Sequence, residues 1–440
     1  MRVLVLFVML LVPTVVVAQE QPVAFVGAEI IPIEGDVIPN GTLVVRGKKI
    51  LRVGSVKKVK VPAGTKTIDV QGRVIMPGLV CTHSHVGGPY AADGSGPIQP
   101  GVRVLDALNV HDSGFKRALA GGLTTLNIMP GSGHLISGRT VYVKLRFYEG
   151  RPSTVEQLLY RDAEGNGLGG LKMANGTNSM KGGDFPGTRG KSAFLVRQEY
   201  IKAREYDDKV QSANGNPEEL PPRDLHLETL VEAMQGKRIV HHHTHRHDDI
   251  ITVLRLSKEF GFRVVLHHIS EGWKVAEEIA KAGAPCSIIM IDSPGGKLEA
   301  RYLSLETGRI LEEAGVRTAF HTDDPILDSR YFFRSSALAV RAGMSRKAAL
   351  EGLTLAGAEM LDLQDRVGSL KRGKDADFII LDGDPLSIYT KVLETWVEGR
   401  RVFDRSNPKD RLYAVGGYGA GHDQSPYYCC FDEANQGGAR

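Results

Sequence analysis

Cysteine is scarce: four occur in 440 residues, and they form no framework. Cys81 and Cys286 sit in apolar runs that read as buried strands, while Cys429 and Cys430 are neighbours in a polar tail. In an oxidising compartment the tail pair could close a strained vicinal bridge or join two chains, but no metal-type cysteine spacing is present. Charge of one sign is lacking too. The formal net charge is only +4, with no run of five or more basic residues, so nucleic acid is a poor candidate partner. A long apolar run occurs only at the start, in MRVLVLFVMLLVPTVVVA, which is marginal for spanning a membrane. With Arg2 ahead of the apolar core and Val16 and Ala18 near its end, it reads as a signal peptide over residues 1–18, cleaved before Gln19. The mature chain is then secreted or periplasmic, without stable membrane insertion, and its charge falls from +4 to +3 with the loss of Arg2.

What is present is an ordinary globular composition, 42% hydrophobic and 24% charged, on a chain too long for one small core. Residues 19–76 alternate short β-branched runs, such as GTLVVRGKKILRVGSV and KTIDVQGRVI, with turn residues. The pattern returns over 363–404 in RVGSLKRGKDADFIILDGD and TWVEGRRVFD. Both terminal segments are expected to build one small β-sandwich, followed by a tail at 405–440. Between them, over 77–362, strand-like runs alternate with amphipathic stretches such as DDIITVLRLSKEFG and GWKVAEEIAKAG. This rhythm points to an α/β fold, a (β/α)8 TIM barrel with a parallel sheet, whose loops at the strands' carboxyl ends would build a site. The third repeat, around TVYVKL, is irregular, and Asn175 to Gly190 is Gly-rich and reads as a long loop.

Histidines gather at the expected strand ends. GLVCTHSH ends in His83 and His85, RIVHHHTH opens a tract of five histidines in seven residues, RVVLHHIS carries His267 and His268, and VRTAFHTD carries His321 and Asp323. Side chains alternate along a strand, so His83 and His85 share a face. Two imidazoles on one face, with Cα atoms ~7 Å apart, can reach one cation at about 2.0–2.1 Å from each nitrogen, although two satisfied pocket histidines would look the same. His83 lies five residues after Gly78 and His268 five after Arg263; five from Arg238 gives His243. On that count His243 binds metal, His245 touches substrate and His241 fills the barrel. His242 faces the outer helices, and His247 belongs to the turn or the next helix.

Five segments in order, IMPGLVCTHSH, HTHR, LHHISEG, HTDDP and VGSLKRGKDADFIILDGDP, make the chain resemble the amidohydrolase superfamily, in its imidazolonepropionase-like and Xaa-Pro-dipeptidase-like branch. The resemblance covers nearly all of the mature chain to about Asp404. It implies a metal-dependent hydrolase in which His83, His85, His243, His268 and Asp323 surround one or two divalent ions. Zinc is first among the metals, with manganese, iron or cobalt acceptable to the same ligands. GGLKMANG resembles the family's fourth strand, where Lys172 would be a carbamylated lysine bridging two metals; burial beside cations favours the neutral amine that adds CO₂. The family usually has an acid where this chain has Cys81, which leaves a thiolate ligand, a core thiol or a partner of the ligands as readings.

The chemistry implied is hydrolysis of a non-standard or cyclic amide C–N bond, or of a dipeptide. Asp323 takes a proton from water and hands it to the leaving nitrogen, and His268 and His245 are candidates to steady the oxyanion or the substrate. A deaminase on the same scaffold is the nearest rival. Such sites usually place a glutamate three residues after the strand-five histidine, and here Arg246 stands there. A secreted metal-binding pseudoenzyme is the rival outside catalysis; the terminal GGYGAGHDQSPYYCC, with His422, would be its feature. The small-molecule amide, lactam or dipeptide is not identified by the loops that carry Tyr90 and Arg189. Oligomeric state is equally unreadable, so a homo-oligomer stays open.

Overall fold

A computed structural model describes residues 20–88, 96–148, 152, 154–291 and 297–416. The 1–18 leader, Tyr90, and the tail residues His422, Cys429 and Cys430 lie outside the described residues.

The chain begins with β1 (Val23–Ile30), β2 (Ile38–Arg46), β3 (Lys49–Ser55), β4 (Lys66–Asp69) and β5 (Val74–Pro77). The centre supplies β6 (Leu79–Ser84), β7 (Leu123–Ile128), β8 (Ile136–Arg139), β9 (Val141–Lys144), β10 (Leu171–Ala174), β11 (Val240–Thr244), β12 (Val264–His268), β13 (Cys286–Ile288) and β14 (Thr318–Phe320). The last strands are β15 (Phe378–Leu381), β16 (Val392–Val397) and β17 (Arg400–Asp404).

Both ends of the chain share one sheet, in the order β17-β16-β15-β5-β1-β2-β3, with β4 also paired to β1. Phe378 to Leu381 run antiparallel to Val74 to Pro77, which is where the two terminal segments meet. Phe25, Leu43, Ile75, Phe378 and Ile380 form a core of their own. Both terminal segments therefore build one eight-stranded sheet, in which β4 and β5 pair with successive stretches of β1, around an apolar core of its own.

The central strands are buried along their whole length, so they read as continuous apolar and histidine-rich runs rather than alternating ones. β10 to β14 form a parallel array, and β6 and β7 pair in parallel in a second sheet. The arrays approach at their carboxyl ends, where the Asp323 amide donates to the His83 carbonyl (3.0 Å) and the His85 amide to the Asp324 carbonyl (3.2 Å). The third repeat departs from the expected parallel strand. β9, which holds most of TVYVKL, runs antiparallel to β7, and β8 runs antiparallel to β10. Thr140 alone separates β8 from β9, and the two do not pair with each other, so they run on as a nearly continuous stretch antiparallel first to β10 and then to β7.

The helices that follow β11 and β12 are the expected ones. Residues His247–Phe260 bury Ile250, Val253, Leu256 and Phe260 on one stripe, carry Asp248 and Asp249 in the first turn, and end at Gly261 in the left-handed conformation. Ala276–Ala282 ends in the same way at Gly283.

Candidate metal centre

Five strands aim their carboxyl ends at one place. β6 ends beside His83 and His85, β10 carries Lys172, β11 carries His241 and His243 with His245 just beyond, β12 ends in His267 and His268, and β14 is followed by His321 and Asp323. All of these side chains are buried except His85 and Asp323, which are partly exposed at the mouth.

Register explains the layers. Lys172 pairs with His241, and one step on, His243 pairs with His267 and Thr244 with His268. Partners in parallel strands point to the same side, so His267, not His268, shares the face of His243. The count of five from each strand start thus places His268 on the wrong face. His268 nevertheless joins the cluster because its φ is +69°, outside the strand region, and Ile269 follows at +42°. That twist brings the His268 ring to 4.3 Å from His243, centroid to centroid, and 5.0 Å from His83. A left-handed non-glycine residue costs energy that the surrounding packing must over-determine, a pattern typical of functional positions.

At the first group, a ligating atom from each of His83, His85 and Asp323 lies within 4.8 Å of the others. His85 Nδ1 is 2.8 Å from the Met129 carbonyl oxygen, which can only accept, so the ring carries a proton there. Its Nε2 is 3.0 Å from Asp323 Oδ1, and His83 Nε2 is 3.1 Å from the same oxygen. A lone pair facing a carboxylate oxygen at this distance needs a proton or a cation between them. Burial works against ionised Asp323, yet with a proton in that gap the His85 hydrogen bond and the imidazoles around it hold the carboxyl well below the usual carboxylate range.

The second group is His243, His245 and His268, again within 4.8 Å. The Nε2 of all three is buried with no hydrogen-bond partner among the described residues. His245 is steered by Ser270, whose hydroxyl is 2.8 Å from Nδ1. Burial, together with neighbouring imidazoles and Lys297, pushes the pKa of His243 well below its ordinary value and that of His245 down to about 3, so these rings are neutral bases. Unpartnered buried ring nitrogens within reach of one another can take a divalent cation or a substrate oxygen.

Lys172 lies beside the first group, fully buried, with Nζ 3.0 Å from His83 Nε2 and 3.1 Å from Met129 Sδ. Burial lowers its pKa to about 7, against the pull of Asp323 and with help from Lys297. Cys81 is buried below His83; its Sγ donates to the His83 carbonyl (3.1 Å) and accepts from the Thr322 amide (3.3 Å). Burial pushes the thiol up to about 11, so it stays protonated and is a poor ligand.

The remaining histidines sort by layer. His241 is held between Tyr142 and His267, both at 3.0 Å, beneath the site. His242 faces the outer layer among Leu135, Asn175 and Leu256. His247 opens the helix after β11 and pairs with Glu271 at 2.6 Å. Arg189, expected on a pocket-shaping loop, is instead the first residue of the helix Arg189–Ser212, where it binds Asp249 (2.9 Å) and Glu299 (3.3 Å). Thr188 caps that helix by accepting from the Lys191 amide, which is why helix starts inside the Gly-rich stretch. His267, His321 and Met129 received no role from the sequence. The register of the HH pair was the signal available for His267.

Comparison with known proteins bears on the same segments. A family model described as "Amidohydrolase family" matches residues 224–403. The crystal structure of an amidohydrolase from Thermotoga maritima MSB8 superposes with a TM-score of 0.78 at 30% identity, covering 87% of this chain and all of that one. The chain belongs to the amidohydrolase family. Membership makes it a hydrolase by class. Amidohydrolase tasK of Hapsidospora irregularis is 28% identical over 372 residues, 78% of this chain, but the chain spans only 38% of that protein's length. A 5-methylthioadenosine/S-adenosylhomocysteine deaminase from Symbiobacterium thermophilum is 23% identical over 81% of this chain and 84% of its own. The family's members thus differ in what they cleave, and the side chains at the mouth must carry the choice.

Proposed function

We propose that this amidohydrolase-family protein cleaves a C–N bond in a small molecule, a non-standard or cyclic amide or a dipeptide, and depends on one or two divalent ions. The observation that carries the reading is the set of buried nitrogens without partners, Nε2 of His243, His245 and His268, beside the facing acceptors of His85 and Asp323. His83, His85 and Asp323 would hold one ion, and His243 and His268 the other. Lys172, neutral through burial, would stand between them as a carbamate. Zinc suits this donor set, as do manganese, iron and cobalt. When bound, a divalent ion supplies Lewis acidity, lowering the pKa of a water and polarising a carbonyl.

The chain's own residues then move the protons. Asp323, ionised and partly open to the mouth, accepts a proton from the attacking water and returns it to the departing nitrogen. His268 would be committed through Nε2 to the ion. His245 is left to stabilise the oxyanion: when the Ser270 hydroxyl donates to Nδ1, Nε2 carries the proton and can donate. A deaminase would place an acid at position 246, and Arg246 instead forms a two-point pair with Asp248 (3.0 and 2.8 Å). The missing carboxylate at that position supports amide hydrolysis over deamination.

The test is metal analysis of the mature protein with a hydrolysis screen of dipeptides and cyclic amides, run beside amino-purines and cytosine. Amide hydrolysis with bound metal is expected. Ammonia release from the amino-purines would reverse the ranking, and stoichiometric metal without turnover would make the protein a binder. The leader supports a secreted or periplasmic setting, for which the mature amino terminus should be Gln19.

A further inference from the structure

His321 has no part in the scheme above, although a ligating atom of its ring lies within 4.8 Å of those of His83 and His268. Its ring stacks on His83 at 4.9 Å and meets His268 edge-on at 4.7 Å. It is fully buried, and its two nitrogens are both engaged: Nδ1 is 2.8 Å from Ser287 Oγ, and Nε2 is 3.3 Å from His268 Nδ1. Ser287 Oγ is in turn 2.6 Å from Thr82 Oγ1. Four buried side chains from four different strand ends, Thr82, Ser287, His321 and His268, therefore form one continuous chain of hydrogen bonds.

Only two directions satisfy such a chain. In one, His321 donates from Nε2 to His268 Nδ1; His268 must then carry its proton on Nε2, which is buried with no acceptor partnered to it among the described residues. In the other, His268 donates from Nδ1 to His321 Nε2, His321 donates from Nδ1 to Ser287, and the His268 Nε2 lone pair faces the Nε2 atoms of His243 and His245. The three links use three of the four hydrogens, so each direction leaves one over: on the fixed His268 Nε2 in the first, and on the rotatable hydroxyl of Ser287 or Thr82 in the second. The second is the direction a cation selects, because a ligating imidazole usually gives its other N–H to a fixed acceptor. The unusual backbone of His268, φ +69°, is what turns its Nδ1 toward His321.

We infer that His321 is a positioning residue for the cation: as the acceptor anchored by Ser287 and Thr82, it holds His268 in the tautomer whose Nε2 is free to ligate. This rests on the proposed metal-dependent reading and adds a role for a residue that would bind neither metal nor substrate. The experiment is metal affinity by chelator competition, with the visible spectrum of the cobalt-loaded protein, on the full mature chain and on His321→Phe, His321→Gln and Ser287→Ala. Phenylalanine fills the space without an acceptor and should weaken binding about 10–100-fold, with a changed cobalt spectrum. Glutamine restores an acceptor near the Nε2 position and should bind within about threefold of the parent. Ser287→Ala should fall between. Parental affinity and spectrum in both the phenylalanine and alanine variants would overturn the inference, as would a glutamine variant as weak as phenylalanine. Should phenylalanine prevent folding, Ser287→Ala decides, with unchanged affinity counting against it. A parent that binds no metal at all would instead sink the hydrolase reading, so the two failures are distinguishable.

Discussion

Two lysines in this molecule are buried to the same degree and behave in opposite ways. Lys144 on β9 and Lys172 on β10 are both fully inaccessible. Lys144 is ringed by carboxylates, with Asp377 Oδ2 at 2.8 Å, Asp375 closer and Glu398 at 3.8 Å. Burial opposes its charge, but Asp377, Tyr160, Asp375 and Glu398 outweigh that and hold the ammonium above its ordinary range. Lys172 has an imidazole and a thioether as neighbours, and burial wins, lowering it to about 7. The lesson is one of closure. A buried ion that meets its counter-charges within the protein is a joint, here tying a central strand to the terminal sheet; one that meets neutral lone pairs is waiting for something to be added.

If the comparison is right, changes at the mouth should abolish chemistry and spare the fold, whereas changes around Lys144 should do the reverse. The largest effect is expected from Asp323→Asn, which should cut kcat/KM by at least about 10³-fold with metal largely kept, read by turnover beside elemental analysis. Next is Lys144→Met. It leaves Asp375, Asp377 and Glu398 buried without their common cation and should cost about 3–5 kcal/mol in chemical denaturation. Metal bound per folded molecule should stay at the parental value. A stable Lys144→Met protein, or one that has lost its metal, would erase the distinction between the two lysines. Lys172→Ala comes third, dropping metal from near two equivalents toward one, with melting changed little in the metal-free state.

How much of this could be read in the sequence depends on which physical signal encoded it. The barrel-like succession of strands and helices was legible because apolar runs and terminating glycines such as Gly261 and Gly283 are local signals. The gathering of His83, His243, His268 and Asp323 was legible because strand ends in parallel sheets converge. The route by which His268 gets there was not, since a single left-handed residue leaves no mark in composition or spacing. Neither was the antiparallel course of β8 and β9, which run on through Thr140 to pair first with β10 and then with β7. The carboxylate ring around Lys144 was invisible for a further reason: Asp375, Asp377 and Glu398 are more than two hundred residues from Lys144, and no pattern in either segment announces the other.

The smallest expected effect separates the two regions by pH. Glu398 accepts from Arg146 (2.9 Å) and Tyr148 (2.8 Å). Burial raises its pKa, but the Arg146 hydrogen bond and the charges of Lys144 and Arg146 outweigh it, bringing the carboxyl from its ordinary 4.5 to about 2. A folded-state value below the unfolded one means the native state binds fewer protons over that window. The stabilisation is therefore complete above about pH 4.5 and is lost as pH falls toward about 2. Glu398→Gln cannot titrate, so its deficit against the parent should be greatest at neutral pH and shrink steadily through that window. Urea denaturation of the metal-stripped protein at several pH values reads this directly, because removing the ions keeps their acid release out of the measurement. A deficit that stayed constant from pH 5 to pH 2 would show that Glu398 contributes by packing alone, and the joint around Lys144 would then not be held by charge.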